Sequence, residues 1–383
     1  MKALILSCNT GGGHNSAGLA MKERIEAEGG EAYFFDYLTL AGGKVSRMVG
    51  EGYVKLVKRT PVLFGLIYRL GAMVSKMTKR SPVYFVNGMM AKYLDEFLRL
   101  NAFDVIIMPH LYPAETITYM KRKGMELPLT IAIGTDYTCI PFWGETECDY
   151  YMIPHEELTD EFVNGKITGE QIYPSGIPVS MKCAEPLDKS EAKEKLCESL
   201  GIERNPKEKL LLILAGSMGA GNLKTFTRVI YLLKKRRDRM IVVCGTNEIV
   251  KKRLKHIFRK KNSVTVLGRT DEMPLFMKAA DVIYTKPGGL TTTEAAVTGS
   301  ALVLTNPIPG CETKNRQFFY RHGMCAGGRN LYAQAAAGIR LLNDEERVKK
   351  MIEKQHGVIF QDASYRIFRF IEEKLKERKK TDA

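Results

Sequence analysis

Short, nearly uniform apolar runs recur along the chain, and most of them end in glycine or in polar residues. Lys2–Ser7, Leu129–Ile133 and Leu210–Ala215 are examples. Such runs are typical of strands that are buried on both faces of a parallel sheet. Apolar residues at helical spacing follow several of them, as between the first run and about Glu28. The pattern therefore predicts repeated strand–helix units and the α/β class.

This pattern stops near the middle of the chain and then starts again, which predicts two Rossmann-like, doubly wound domains. The stretch between them is charged and weakly apolar, as expected of a linker. We predict a first domain at 1–175, a linker at 176–208, a second domain at 209–357, and a C-terminal helix at 358–383 that could pack back on the first domain. Pro82–Leu100 is predicted as one helix.

Thr285–Glu312 is the most informative stretch of the second domain. A short apolar run leads into glycines 288 and 289, and a helix is predicted to follow. Glycines let a ligand approach the backbone, and the free N–H groups of a helix N-terminus favour a phosphate. Glu294, one turn into this helix, could accept two hydrogen bonds from a ribose diol, and Glu312 could do the same for sugar hydroxyls. The alternative is a tight turn with two solvated acids.

A second glycine-rich loop, Asn9–Ser16, directly follows the first predicted strand. It is not a Walker A loop, because no Gly-Lys-Ser/Thr closes it. His14 lies where the loop meets the next helix, and a histidine there can act as a base near neutral pH. The alternative is a solvated loop histidine, although the end of the first strand is where α/β sheets bind ligands.

The loop that opens the second domain, 216–222, has the glycine spacing GxxGxG. This is the reverse of the dinucleotide fingerprint. In addition, no acid follows the next predicted strand, Ile241–Cys244, to bind a ribose. A nicotinamide cofactor is therefore disfavoured, whereas a phosphate site is still expected.

The composition adds a strong positive charge to this picture. The 383 residues carry a formal net charge of +15 and eight scattered cysteines without CxxC pairs. The charge implies an acidic partner surface, but the lack of zinc-like and RNP-like motifs disfavours nucleic acid. Reduced thiols in the cytoplasm are the simplest account of the cysteines. We expect no signal peptide at Met1–Ser7, and no run reaches the roughly 18 apolar residues of a membrane span.

Gly43–Arg80 mixes apolar residues with nine basic residues and a single acid, Glu51. This mixture suits a helix or loop that lies on an anionic bilayer. Pro61 and Arg69 interrupt the apolar run, so the segment is not expected to span. The expected membrane contacts are Lys55, Lys58, Arg59, Leu63 and Phe64. The alternative is a basic surface helix whose apolar side packs internally.

Taken together, the motifs resemble those of glycosyltransferase family 28, and most of all the group of monogalactosyldiacylglycerol synthases and diacylglycerol glucosyltransferases. The matching stretches are Asn9–Gly18, Thr135-Asp136 with Trp143, Gly176–Val179, Gly216-Ser217, Pro287–Glu294 and Pro309–Glu312. The resemblance implies a GT-B fold, in which two Rossmann-like domains face each other across a cleft. It also implies an inverting enzyme that moves a hexose, glucose or galactose, from a UDP-sugar to diacylglycerol to make a β-glycosyl diacylglycerol.

The resemblance further implies a role for each matched residue, with His14 as the general base. The implied donor-binding residues are Gly216, Ser217, Gly288, Gly289, Glu294 and Glu312, and we add Gly219, Arg269 and Thr291 as further donor-binding candidates. The acceptor candidates are Gly12, Gly13, Asn15, Asp136 and Trp143. No cofactor or metal is expected, because no Asp-x-Asp pair occurs and helix N-termini with Lys or Arg would stabilise the UDP leaving group. Cys311 and Ile140 depart from the family, which often has Gln and, in plant-type members, His there.

The expected location is cytoplasmic, peripheral on the inner face of the cell membrane, with a UDP-sugar, diacylglycerol and an anionic membrane surface as partners. Other functions remain open. One is N-acetylglucosaminyl transfer to a lipid-linked muramyl acceptor. A second is a UDP-sugar 2-epimerase, which would act without lipid and would not need Gly43–Arg80. A third is a non-catalytic protein that senses a nucleotide or a lipid surface.

Overall fold

Two parallel sheets of six strands each organise the computed structural model, which describes residues 1–8, 12–42, 73, 80–215 and 223–381. The strands are β1 (Lys2–Ser7), β2 (Glu31–Asp36), β3 (Val105–Met108), β4 (Leu129–Ile133), β5 (Tyr150–Ile153), β6 (Ile172–Pro174), β7 (Leu210–Leu214), β8 (Arg239–Val243), β9 (Val264–Leu267), β10 (Val282–Thr285), β11 (Leu302–Leu304) and β12 (Ala326–Gly327). The predicted α/β class is confirmed.

Helices follow most of the strands. They are α1 (Gly12–Ala27), α2 (Pro82–Gly88), α3 (Ala91–Leu100), α4 (Leu111–Arg122), α5 (Thr159–Asn164), α6 (Met181–Ala184), α7 (Lys189–Leu200), α8 (Leu223–Leu233), α9 (Glu248–Phe258), α10 (Met273–Ala279), α11 (Gly289–Val297), α12 (Cys311–Arg321), α13 (Leu331–Leu341), α14 (Glu345–Val358) and α15 (Ala363–Thr381). Short 3-10 turns occur at Tyr37–Ala41, Trp143–Glu145, Glu156–Leu158 and Gly169–Gln171.

The first sheet has the strand order β2-β1-β3-β4-β5-β6. Strands β3 and β4 are buried along their whole length, as their apolar or nearly apolar sequences predict. The core on one side of this sheet includes Ile5, Ile107 and Ile131. Ile367 and Ile371 of the C-terminal helix α15 complete that core, so residues distant in sequence share one apolar layer.

The second sheet has the order β12-β11-β10-β7-β8-β9. In its centre, Tyr284 of β10 pairs with Ile213 of β7 and with Val303 of β11. The buried Tyr284 hydroxyl donates to the carbonyl of Ala335, at 2.9 Å, so α13 is fixed against the middle of the sheet.

Each sheet has a point where the strand order reverses. In the first sheet this point lies between β1 and β3, and in the second it lies between β7 and β10. The loops that leave such a pair of strands at their carboxyl ends run in opposite directions and open a crevice, which is where open α/β sheets bind ligands. The described part of the first glycine-rich stretch, 12–16, opens α1 after β1, and the second stretch, 286–289, directly follows β10. Strands β1 and β10 each border a reversal point.

The chain divides into two compact units. The first comprises Met1–Met181, Ile308–Cys311 and Asp362–Ala383, and the second comprises Lys182–Pro307 and Glu312–Gln361. Helix α7, in the stretch interpreted as a linker, is part of the second unit. There its Lys193 Nζ lies 2.6 Å from Asp281 Oδ2.

Most predicted strands are confirmed within one or two residues at each end, but Pro82–Leu100 is two helices rather than one. The break follows Gly88, which ends α2. A Cβ atom there would lie 2.6 Å from the ring of Tyr119, so only glycine lets the helix end approach α4 so closely. Strands β2, β6 and β12, each at an edge of its sheet, were not predicted.

Candidate functional site

His14 lies near the start of α1, at the reversal point of the first sheet. Its Nδ1 is 2.8 Å from the carbonyl oxygen of Pro109 and 2.9 Å from Oγ1 of Thr135. The loops after β1, β3 and β4 thus meet at this ring. Because a carbonyl oxygen can only accept a hydrogen bond, Nδ1 must carry the proton in the neutral ring. The basic lone pair is then on Nε2, the nitrogen that can remove a proton from a substrate.

The surroundings of His14 keep it in this basic form. Burial lowers the pKa of His14 below its usual value, and the hydrogen bond to Pro109 only partly opposes the effect. The ring of His110 stands edge-on to that of His14, with 4.5 Å between the ring centres. Burial, and next the charge of His14, also lower the pKa of His110 well below its usual value. His14 is therefore neutral at pH 7, as a general base must be.

Four of the five acceptor candidates are close in sequence to His14 or to Thr135. Gly12 and Gly13 begin α1, and Asp136 follows Thr135 directly. Asn15 accepts a hydrogen bond from Ser7, with 2.6 Å between Ser7 Oγ and Asn15 Oδ1, which ties α1 to the end of β1.

Trp143 is only 3% exposed and packs edge-on against Tyr151. This burial keeps the ring away from a membrane surface, where an anchoring tryptophan would have to lie. It also leaves the ring almost no surface for an acceptor-site wall. The indole instead belongs to the core of the first unit. The sequence around Trp143 gave no reason to expect this.

In the second unit, helix α11 begins at Gly289, with Gly288 as an extended N-cap that offers no side-chain hydrogen bond. The first N–H groups of α11 are therefore available to a ligand. A Cβ atom at Gly288 would meet nothing within 4 Å, so the space beside the cap is open. The hydroxyl of Thr293 bonds back to the carbonyl of Gly289, at 2.7 Å, and Thr291 is half-buried in the first turn. An open helix N-terminus at a reversal point is suited to a phosphate group.

Glu294 lies in the second turn of α11 and is half-buried. Burial raises the pKa of its carboxyl to about 7. Within the part of the chain that the structure describes, no hydrogen bond holds this carboxylate. A diol could therefore supply two hydrogen bonds that would stabilise the ionised form.

Glu312, at the start of α12, forms an ion pair with Lys286, with 2.5 Å between Lys286 Nζ and Glu312 Oε1. The two side chains are only 15% and 10% exposed. Lys286 was not among the predicted site residues, although its place directly before Pro287-Gly288-Gly289 was a signal. The pair brings a cation to the turn that leads into α11, next to the expected phosphate position.

Other predicted donor residues are not brought to this place. Arg269 follows β9, which β7 and β8 separate from β10. At about 4.8 Å per strand, this places it roughly 14 Å to the side, and it pairs there with Asp271 in an exposed position. Gly216, Ser217 and Gly219 lie outside the described residues. So do the expected membrane contacts Lys55, Lys58, Arg59, Leu63 and Phe64.

The described residues lack both a cluster of metal-ligating side chains and a membrane-spanning helix. No group of three or more His, Cys, Asp or Glu side chains there could hold a metal ion. Likewise, none of the helices in the described ranges combines the length and apolar character needed to cross a membrane. All eight cysteines are thiols rather than parts of disulfides, as expected.

Comparison with known proteins agrees with the resemblance drawn from the motifs. Residues 14–179 match the sequence model of the family described as monogalactosyldiacylglycerol (MGDG) synthase. The chain is 27% identical to a processive diacylglycerol beta-glucosyltransferase of Bacillus licheniformis, over 91% of this chain and 88% of that protein. It is 25% identical to the protein of the same name from Bacillus pumilus, over 97% and 94%. The suspected relationship to this group is confirmed.

Solved structures show the same fold. The chain is similar to the S. aureus MnaA–UDP co-structure, with a TM-score of 0.63, 13% identity, and coverage of 98% of this chain and 97% of that one. It is also similar to Acinetobacter baumannii MurG, with a TM-score of 0.56, 13% identity, and coverage of 97% and 99%. At such identities the likeness concerns the fold alone, and it confirms the predicted GT-B class.

Proposed function

We propose that this chain, a relative of the diacylglycerol glucosyltransferases, transfers a hexose from a UDP-sugar to the hydroxyl of diacylglycerol with inversion at the anomeric carbon. Glucose is the first choice of hexose because the relatives are named for it, and galactose is the second. The observation that carries the proposal is the hydrogen-bonding of His14. Its Nδ1–H is held by the carbonyl of Pro109, so Nε2 is left as the base.

In the proposed reaction, Nε2 of His14 takes the proton of the diacylglycerol hydroxyl. The oxygen attacks the anomeric carbon from the face opposite UDP, the bond from that carbon to the β-phosphate oxygen breaks, and UDP leaves as an anion. The proton on His14 then passes to solvent. Attack on the face opposite the leaving group gives the β-glycoside from an α-linked donor.

The donor residues have complementary tasks in this proposal. The N-terminus of α11 receives the diphosphate, where the free N–H groups and the helix dipole stabilise the charge of the leaving group. Lys286 adds a cation beside it. Glu294 accepts hydrogen bonds from the ribose diol, and Glu312 accepts from the sugar while it holds Lys286. No metal ion is part of the proposal, and assays with and without a chelator test that point.

The function is tested with purified protein, diacylglycerol in phosphatidylglycerol vesicles, and radiolabelled UDP-glucose, UDP-galactose or UDP-N-acetylglucosamine in parallel. Label in the lipid extract with one hexose donor supports the proposal, and NMR of the product gives the anomer. Label only from UDP-N-acetylglucosamine on a lipid-linked muramyl acceptor would replace it with the first alternative. Conversion of UDP-N-acetylglucosamine to an epimer without lipid would replace it with the second.

The proposed site of action is the cytoplasmic face of the membrane, since diacylglycerol resides in the bilayer and UDP-sugars in the cytoplasm. Gly43–Arg80 is the proposed contact. Replacing Lys55, Lys58 and Arg59 by Glu should reduce sedimentation with anionic vesicles and leave UDP affinity unchanged. Equal sedimentation of this variant and the parent would show that the segment does not contact lipid.

A further inference from the structure

Positive charge is concentrated in one short part of the second unit. Residues 234–261 contain twelve Lys or Arg and two acids, Asp238 and Glu248, which is a net charge of +10 in a chain whose total is +15. Gly43–Arg80 supplies eight more, and the remaining residues are therefore slightly acidic in sum. The cations at 234–261 have no role in the proposed transfer reaction.

Most of these cations are exposed and, within the described part of the chain, are not neutralised by an acid. Three are partly or fully buried: Arg239 pairs with Glu208, Lys251 pairs with Glu248, and Lys234 binds backbone oxygens. The other nine are exposed. In the ranges that the structure describes, none of these nine forms an ion pair with a carboxylate.

The turn after α8 and the helix α9 form one surface, which we call the basic face (residues 232–237 and 249–261). The ring of Tyr231, at the end of α8, packs against that of Phe258, at the end of α9, with 5.4 Å between their centres. The ammonium groups of Lys234 and Lys261 lie 5.3 and 5.7 Å from the centre of the Tyr231 ring. The two stretches of cations are therefore neighbours in space as well as in sequence.

Local helix energetics do not explain this arrangement. Lys252 and Arg253 lie in the middle of α9, before the last turn, where the helix dipole would favour cations. Lys251 and Lys255, as well as Lys255 and Arg259, are like charges four residues apart, which destabilises a helix. Because like charges at this spacing lower the stability of the helix, we expect the exposed cations to have a function.

Aliphatic side chains are exposed among these cations. Leu232 is 79% exposed, Leu233 46% and Ile249 66%. Cations interspersed with exposed aliphatic residues suit an anionic bilayer, which attracts the charges and accepts the apolar side chains. Single-stranded nucleic acid would instead need aromatic rings as stacking platforms, and none of the large exposed apolar residues of this face is aromatic.

We propose that the basic face is a docking surface for an anionic lipid bilayer, separate in sequence from Gly43–Arg80 and carried by the unit that holds the donor-site residues. The proposal goes beyond the transferase function and does not depend on which sugar or acceptor is used. Docking combines electrostatic attraction by the exposed cations with shallow insertion of Leu232 and Ile249.

The test is sedimentation with phosphatidylcholine vesicles that contain increasing amounts of phosphatidylglycerol, without diacylglycerol and without donor. The test variant is Lys252→Glu, Arg253→Glu and Lys255→Glu. The control variant is Arg347→Glu, Lys349→Glu and Lys354→Glu on α14, which are also exposed and give the same change of charge. The test variant should bind at least roughly 100-fold more weakly, while the control stays within a few-fold of the parent. Leu232→Ser with Ile249→Ser should also weaken binding.

Several results would overturn the proposal. If the test variant and the parent bind the vesicles equally, the basic face is only solvated. If the test and control variants lose the same vesicle affinity, binding depends on the net charge of the protein and not on the basic face. If the test variant loses affinity for a single-stranded oligonucleotide but not for vesicles, the face binds nucleic acid. Thermal melts confirm that each variant folds. Hexose transfer to diacylglycerol in detergent micelles is measured separately, so a failure of docking and a failure of the proposed function are distinguishable.

Discussion

Lys286 and Glu312, which are 26 residues apart in sequence, form a mostly buried ion pair with 2.5 Å between Nζ and Oε1. The pair links the turn before α11 to the first turn of α12. Asn315 of α12 supports the same turn by donating to the carbonyl of Pro287, at 3.1 Å. A lysine held in this way is oriented before any ligand arrives, so little side-chain entropy is lost when it meets a phosphate.

We therefore expect Lys286→Met to weaken UDP binding roughly 10- to 150-fold, the usual effect of losing a charge-assisted hydrogen bond. Titration calorimetry measures it. Lys314→Met, which removes an exposed cation from α12, is the matched control and should have no effect. Glu312→Gln should weaken UDP-glucose binding more than UDP binding. An equal loss for both ligands would limit Glu312 to holding Lys286.

His14→Ala should reduce the transfer rate by roughly 10²–10⁴-fold, as expected for the loss of a general base, while UDP affinity is retained. Single-turnover measurements with saturating donor isolate the chemical step. Near-normal transfer by this variant would remove His14 from the mechanism.

Thr135→Val tests whether the hydroxyl beside Nδ1 positions the base. We expect a lower kcat at unchanged KM for UDP-glucose. In the parent, the low-pH limb of the rate profile should have its midpoint below the usual value for histidine, because burial lowers the pKa of His14. The variant should shift that midpoint. A loss of stability without a change in the profile would show a structural role only.

Glu294 should make donor binding depend on pH. Its carboxyl has a pKa of about 7 in the free protein, and a ribose diol binds the ionised form better. Affinity for UDP-glucose should therefore rise with pH between about 6 and 8, and binding below about pH 7 should release a proton. UDP-glucose is the better ligand for this test, because UDP has a terminal phosphate that itself titrates near neutral pH.

Replacing Glu294 provides the control for that titration. Glu294→Ala should cost roughly 1.5–3 kcal/mol of UDP binding. Glu294→Gln should remove the pH dependence of UDP-glucose binding. An unchanged affinity in the Ala variant would exclude the ribose role.

Glu115 of α4 should make the first unit less stable as pH rises. It is fully buried, and burial, followed by the nearby Glu145, raises its pKa to about 10. Arg122 opposes this only in part. The unfolded chain loses this proton near pH 4.5, whereas the folded protein keeps it to about pH 10. Between these values the unfolded state binds fewer protons, so the free energy of unfolding falls by up to about 1.4 kcal/mol per pH unit.

Glu115→Gln should flatten this dependence, whereas Glu156→Gln, at an exposed position, should not. Urea unfolding at several pH values between about 6 and 8 measures the slope. The fluorescence of Trp143, the single tryptophan, reports the first unit because its ring is buried there. Parallel slopes for the parent and Glu115→Gln would contradict the prediction.

The sequence predicted the features that depend on local pattern. Nearly uniform apolar runs such as β4 identify central strands of a parallel sheet, and Gly288-Gly289 after such a run indicates a helix N-terminus with open backbone. Strand β2, with a charged residue at each end and no regular alternation, and the two residues of β12 give too weak a signal for an edge strand.

The sequence pattern could not predict contacts between residues that are far apart in the chain. His14 and Thr135 are 121 residues apart, and only the order of strands β1, β3 and β4 brings them together. The apolar layer that Ile367 and Ile371 share with Ile5 and Ile107 likewise joins residues from the two ends of the chain.

Helix α15 has a consequence for how the protein is made. Ile367, Phe368 and Ile371 fill the core beneath β1, β3 and β4, yet a ribosome translates them after the whole second unit. The nascent first unit therefore keeps an open apolar face until this last helix emerges from the exit tunnel. A gene fragment that encodes only residues 1–181 should yield insoluble material, and co-expression of a peptide spanning 362–381 should restore solubility.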